Sequence, residues 1–426
     1  MVKYRLLDKI IRDDWDYWGM KSISKNFTNH LFRRLSIVIS LFLICLWLVF
    51  LRVPAFSAIV DKDFETSAAQ ALLIDKETGS VLFEKQANSR IAPASLAKLM
   101  SAEVILHALK QNIISLDDEY IISEDTWRRG GAPSRTTTMF AAVKSKVSVN
   151  NLLQGLIVLQ ANDAALALAE GAFGSEEAFV DKMNERAAEI GLKNSHFVNA
   201  TGLPQDGQYT TLKDLALLGA YLEKEYPDQI ALYSQPAFEW NKIFQRNRNP
   251  LVAANIGVVG MANGFTQGQG YSIFLSVEKN DRKLFLALAG VPKEKERNEE
   301  AIRIITWAMN EFVTRLVFDK GENIGQAKLF GGDNTTIGLK VNEVVAVLIP
   351  KTKIKQVEAK ITYEGPITAP VEANKQVGLV KILLNGDSIL QRPVFTGETA
   401  TEASITQKAK NSLYELSIGW IRAYWN

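Results

Sequence analysis

Apolar and polar positions divide the chain into a mixed helix-and-strand body, a β-rich stretch and two apolar ends. In ALLIDKETGSVLFEK an apolar run meets a polar turn at Lys76-Glu77-Thr78-Gly79 and resumes at Val81, the pattern of a hairpin. IAPASLAKLMSAEVILHALK predicts a helix beginning near Pro93 to Ser95, with apolar residues crowding its first turns. VNNLLQGLIVLQANDAALALAEGAF predicts further helix, apolar enough to be buried. Ser272 to Val277 and Leu284 to Val291 predict a second hairpin around Lys279-Asn280-Asp281-Arg282, and NEEAIRIITWAMNEFVTRLV an amphipathic helix. From about Gly321 to Thr396 short β-rich runs broken by Gly and Pro take over, which predicts a small all-β domain after the mixed one.

The ends carry a different signal. Leu35 to Leu51 is an uncharged run of 17 residues, preceded by Arg33-Arg34 and followed by small and then polar residues. A basic flank, an apolar core and small residues beyond it form the export pattern, with cleavage near Ala55 to Ala58 or retention as an anchor. At the other end Leu413, Leu416, Ser417, Trp420, Ile421 and Tyr424 share one helical stripe. Such a stripe suits a helix lying in a membrane interface, where Trp and Tyr meet the headgroups. The expected division is therefore a leader at 1–58, a mixed helix-and-strand domain at 59–318, a small β-rich domain at 319–400, and a linker with an amphipathic helix at 401–426.

Composition narrows the chemistry. The net charge of +2 over 426 residues argues against a nucleic-acid partner held by bulk basicity. A single cysteine, Cys45, excludes an intramolecular disulfide framework, and with three histidines it leaves little for a metal centre. The expectation is no metal and no cofactor, with chemistry drawn from Ser, Lys, Asn, Thr, Asp or Glu.

The chain has no G-x-S-x-G elbow, no H-E-x-x-H and no P-loop. It has Ser-x-x-Lys three times: Ser22/Lys25, Ser95/Lys98 and Ser276/Lys279. The first lies in the leader and the third runs out of a strand into a polar turn. Only Ser95/Lys98 opens an apolar helix, where positions i and i+3 share a face. A serine hydroxyl needs a base before it is nucleophilic. Lys98, flanked by Leu96, Ala97, Leu99 and Met100, is placed to lose solvent and become partly neutral, and so to act as that base. The helix start adds N–H groups that can stabilise an oxyanion. The bland alternative is a surface lysine one turn past a capping serine.

The surroundings of that pair resemble the penicillin-binding D-alanyl-D-alanine carboxypeptidases, a serine peptidase family. The likeness runs through IAPASLAKLMSAE, WRRGGAPSRTTTMF, LLQGLIVLQANDAALALAEG, KNSHFVNATGLP, YTTLKDLALLGAYL, FEWNKIFQRNRNPL and LFLALAGVPKEKERNEEA. It implies an α/β (α+β) DD-peptidase/β-lactamase-like fold, an antiparallel sheet flanked by helices with a helical lobe, followed by the small all-β domain. It further implies Ser95 as acylated nucleophile, Lys98 as its base and Asn162 as a third catalytic residue. Asn263, Gly264, Phe265 and Arg297 would bind substrate, with an oxyanion hole from the Ser95 and Phe265 N–H groups. The implied partners are the D-Ala-D-Ala end of a peptidoglycan pentapeptide, β-lactams as covalent inhibitors, and the inner-membrane surface beneath the C-terminal helix. The implied location is the periplasm.

Two motifs depart from that family, at three positions. Its Ser-x-Asn reads Gln160-Ala161-Asn162, replacing a hydroxyl that can relay a proton by an amide that cannot. Its Lys-Thr-Gly reads Ala262-Asn263-Gly264, and Asn249 to Val277 contains no charged residue. Losing one partner of a desolvated charge pair costs about 2–5 kcal/mol, on the order of 30- to several-thousand-fold. The expectation is a serine carboxypeptidase slowed by these changes. The alternatives are a catalytically weak relative that binds wall peptide or a partner protein, and a related acyl-transfer specificity on the same Ser-Lys pair.

Overall fold

The structure is a computed structural model that describes residues 64–280 and 282–404. The leader and the C-terminal stripe lie outside the described residues. The first hairpin forms as the pattern predicts, with β1 (Gln70–Asp75) and β2 (Val81–Lys85) antiparallel. A 3₁₀ turn over Ala94–Ala97 then leads into α1 (Lys98–Lys110). The helical lobe follows, built from β3 (Glu119–Ile121), α2 (Glu124–Gly130), β4 (Lys146–Ser148), α3 (Val149–Val158), α4 (Asn162–Phe173) and α5 (Glu176–Ile190). The long apolar stretch predicted as continuous helix is thus two helices. It breaks at Leu159–Ala161, where Gln160 takes a left-handed φ of 52° and Asp163 turns inward to hold a loop.

The chain returns through α6 (Leu212–Glu225), α7 (Pro227–Ser234) and a small hairpin of β5 (Ala237–Trp240) and β6 (Ile243–Arg246). It then completes the main sheet with β7 (Val258–Thr266), β8 (Gly270–Lys279) and β9 (Arg282–Val291). Strand order is β2-β1-β9-β8-β7, with every pairing antiparallel, so β7 is an edge strand. Alternate residues point to opposite faces. Leu72, Phe274, Phe285 and Ala287 pack into a core with the helices of the lobe. Leu73, Ile273, Leu275 and Leu286 pack into a second core that includes Ala301, Ile304 and Ile305 of α8 (Glu294–Glu311). Burial on both faces explains why LFLALAG is almost unbroken in hydrophobicity.

The predicted amphipathic helix stops six residues early. Phe312 to Val317 belong to β10 (Phe312–Phe318), whose β-branched and aromatic content favours a strand once a partner exists. After β11 (Asn323–Phe330) and β12 (Thr336–Lys340) that partner arrives as β13 (Val345–Pro350). The remaining strands are β14 (Val357–Tyr363), β15 (Ile367–Thr368), β16 (Gln376–Leu384) and β17 (Asp387–Thr396). They join β11 and β12 in a six-stranded sheet of order β14-β16-β17-β12-β11-β15. Its buried residues, among them Val380, Ile382 and Val394, continue the second core without a break, and Arg392 donates to the Thr78 carbonyl at 3.1 Å. The antiparallel sheet flanked by helices, with an all-β part after it, is the fold class expected from the sequence. Among the described residues no helix is long and apolar enough to cross a membrane.

Candidate active site

Ser95 lies in the 3₁₀ turn and Lys98 is the first residue of α1. One turn of helix brings Lys98 Nζ to 3.3 Å from Ser95 Oγ, and the lysine is buried to 3% exposure. Burial, and to a lesser degree the positive charge of Arg248, lower its pKa from 10.5 to about 7. At neutral pH a substantial share of Lys98 is therefore an uncharged amine able to accept the Ser95 proton.

The lysine is held from the other side by a pinned loop. Asn199 Oδ1 accepts from the backbone N–H groups of Thr201 and Gly202, at 3.3 and 2.7 Å. This turns the Thr201 carbonyl toward Lys98, which donates to it at 2.6 Å. Gly202 has φ +72°, and a Cβ there would sit 1.8 Å from the Ala94 carbonyl oxygen, so only glycine fits beneath the turn that carries Ser95.

Strand β7 closes the second wall. A Cβ on Gly264 would come within 3.3 Å of the Ser95 backbone nitrogen and 2.9 Å of Ala94 Cβ. Glycine thus lets the strand edge pass against Ser95. Phe265 follows, its side chain half exposed and its ring 4.6 Å from that of Tyr271 on β8. Ala262 is buried within the first core, and no charge stands at its place on the strand. Asn263, 7% exposed, meets Gln160, 4% exposed, from the helical lobe. The two carboxamides bond across the cleft at 3.1 Å.

Asn162 begins α4, with its side-chain nitrogen donating to Thr136 Oγ1 at 2.9 Å and its buried Oδ1 unpartnered. Asp163 next to it receives the N–H groups of Met139 and Ala141 and the Thr138 hydroxyl, fixing the loop that carries Thr136. Burial raises the Asp163 pKa.

Arg297 is not in direct contact with Ser95 or Lys98. It is fully buried at the start of α8, bonded to Asn298 and Glu294, with Nη1 unpartnered and its guanidinium 5.8 Å from the Tyr271 ring centroid. Burial and the charge of Arg248 both lower its pKa. Arg248 is the residue the sequence reading missed. It stands one position before the uncharged stretch that begins at Asn249, and the signal was the QRNRN run leading into β7. Lys213, in the first turn of α6, pairs with Glu84 at 2.9 Å. Of the other Ser-x-x-Lys pairs, Ser276 is engaged by Lys76 and Glu223, and Ser22/Lys25 lies outside the described residues. Among the described residues no group of three His, Cys, Asp or Glu could hold a metal ion.

A partly exposed serine, a buried lysine of lowered pKa within reach of it, and a sheet edge beside both define a serine acyl-transfer site. Residues 57–292 match the family described as D-alanyl-D-alanine carboxypeptidase, and residues 312–402 match the C-terminal domain of penicillin-binding protein 5. The chain belongs to this serine peptidase family. It is 35% identical over 334 residues to D-alanyl-D-alanine carboxypeptidase DacC of Escherichia coli, covering 78% of this chain and 84% of the relative. The structure of penicillin-binding protein 5 from Haemophilus influenzae superposes with a TM-score of 0.71 at 31% identity, covering 80% of this chain and 99% of that one. Penicillin-binding protein D2 of Listeria monocytogenes, solved in its ampicillin-bound form, matches with a TM-score of 0.51 at 26% identity. That match covers 57% of this chain and 98% of the other.

Proposed function

We propose that this protein is a serine-type D-alanyl-D-alanine carboxypeptidase acting on peptidoglycan stem peptides through a Ser95 acyl-enzyme. The observation that carries the reading is the 3.3 Å approach of Ser95 Oγ to a buried Lys98 whose pKa is about 7. Lys98 takes the hydroxyl proton as Oγ attacks the penultimate D-alanyl carbonyl. The oxyanion is received by the Ser95 and Phe265 N–H groups. The C–N bond breaks, the proton passes to the leaving D-alanine amine, and water then hydrolyses the ester. With an amide at Gln160 in place of a hydroxyl, Lys98 returns that proton itself. Asn162, whose Oδ1 has no partner, orients the acyl side of the peptide. Arg248 and Arg297 supply the positive charge that attracts the terminal carboxylate. β-Lactams acylate Ser95 as substrate mimics, and no cofactor takes part.

The export pattern at Leu35–Leu51 and the aromatic stripe at Leu413–Tyr424 support a periplasmic protein resting on the inner membrane. The test of the enzymatic reading is release of D-alanine from a pentapeptide by wild type and by Ser95→Ala. Release that is unchanged by the substitution contradicts it.

A further inference from the structure

Gln160 and Asn263 occupy two of the three motif positions at which the chain departs from its family, and they bond to one another. The carboxamide of Gln160 has two orientations related by a half-turn. In one, Nε2 donates to Asn263 Oδ1 at 3.1 Å. In the other, the amide nitrogen donates to the Asn263 carbonyl at 2.8 Å and the amide oxygen accepts from the Asn263 N–H at 3.1 Å. The second satisfies both ends of the amide and pairs it with the free edge of β7 as a peptide group of an added strand would. The left-handed backbone at Gln160 is a conformation that a non-glycine residue adopts at a cost, so the side chain's aim across the cleft is built into the break between α3 and α4.

The third departure, Ala262, is buried among apolar side chains and offers nothing to an anion. A carboxylate seated here would lose water against neutral amides, whereas a peptide or carboxamide group can exchange hydrogen bonds with them one for one. Two cations remain nearby. Arg297 has two of its guanidinium nitrogens committed to Asn298 and Glu294, and Arg248 lies exposed at the surface. They keep a free carboxylate acceptable without making it preferred.

We propose that Gln160 and Asn263 form one specificity-determining unit, an uncharged clasp favouring D-alanyl substrates whose leaving group ends in a carboxamide or continues as a peptide over those ending in a free carboxylate. This rests on the Ser95 acyl-enzyme reading. The chemical step is unchanged: Oγ bonds to the D-alanyl carbon, the C–N bond breaks, and Lys98 carries the proton to the leaving amine.

The experiment compares kcat/KM for a pentapeptide ending in D-Ala-D-Ala with that for the same peptide ending in D-alaninamide. Wild type is expected to favour the amide by about tenfold or more. Ala262→Lys combined with Gln160→Ser and Asn263→Thr is expected to reverse the preference. Because a lysine at 262 enters a packed core, Gln160→Ser with Asn263→Thr is measured as well, and its amide-to-acid ratio should fall toward one. A wild type that favours the acid, or a ratio that the double variant leaves unchanged, overturns the clasp. Labelling by a fluorescent penicillin in the same samples separates the two readings. Ser95 labelled with the acid preferred defeats the clasp alone. No labelling and no cleavage of either peptide defeats the acyl-enzyme reading and the clasp with it.

Discussion

Lys98 Nζ donates to the Thr201 carbonyl oxygen at 2.6 Å. An amine keeps two N–H donors after it loses its charge, so this bond holds the nitrogen in place in both protonation states. Ser95, on the adjacent side, is left to meet the lone pair. Acylation should therefore rise with pH as Lys98 deprotonates, with a midpoint near its pKa of about 7. Arg248→Gln removes a charge that lowers this pKa, so the midpoint should move upward. The rate of penicillin acylation between pH 5 and 9 checks both, and a flat profile contradicts the role of Lys98.

The same burial has a cost in stability. Between about pH 7 and 10.5 the unfolded chain binds a proton at Lys98 that the folded chain has released, so stability should rise with pH across that window. Below pH 7 the penalty is fully present, on the order of 3–5 kcal/mol. Lys98→Met keeps the shape and removes the charge. It is expected to raise the melting temperature by several degrees at pH 6 and to flatten the pH dependence above 7. Thermal unfolding of wild type and variant at pH 6 and 9.5 measures this, and destabilisation at pH 6 would contradict it.

Much of this was legible in the sequence because local patterns decide it. Hairpins at Gly79 and around Asn280 follow from apolar runs flanking polar turns. The approach of Ser95 to Lys98 follows from helical spacing on an apolar helix. What escaped depended on partners distant in the chain. No local signal divides the helix at Gln160, because leucine and alanine continue on either side and the break is set by Asp163 capturing the 138–141 backbone. VTRLV reads as helix until β13 offers it an edge. Arg248 reaches the site only because the chain folds back from β6 into β7. The bond between Gln160 and Asn263 joins two departures that looked separate along the chain.

Asp163 anchors the wall that carries Thr136, which in turn holds Asn162. Asp163→Ala leaves the N–H groups of Met139 and Ala141 and the Thr138 hydroxyl without their acceptor. The expected loss is about 2–4 kcal/mol, read by urea unfolding. Acylation of the folded fraction should slow as well, since Asn162 loses its support. A variant as stable as wild type would show that the loop is held otherwise.

Gly202→Ala tests the packing beneath Ser95. The added methyl meets the Ala94 carbonyl oxygen and requires a left-handed backbone. The loop must shift, taking the Thr201 carbonyl away from Lys98. The expected result is destabilisation of about 2 kcal/mol or more with acylation slowed at least tenfold. Unchanged acylation kinetics would show that this loop does not position Lys98.

Everything proposed for the site requires Ser95 to be an acylated nucleophile activated by Lys98. The most direct measurement is the intact mass of the protein, and of its Ser95-containing peptide, after exposure to benzylpenicillin. A single penicilloyl addition at Ser95 is expected, with none in Ser95→Ala and an addition slowed by at least a hundredfold in Lys98→Met. Equal modification of wild type and Ser95→Ala, or none in either, would contradict it.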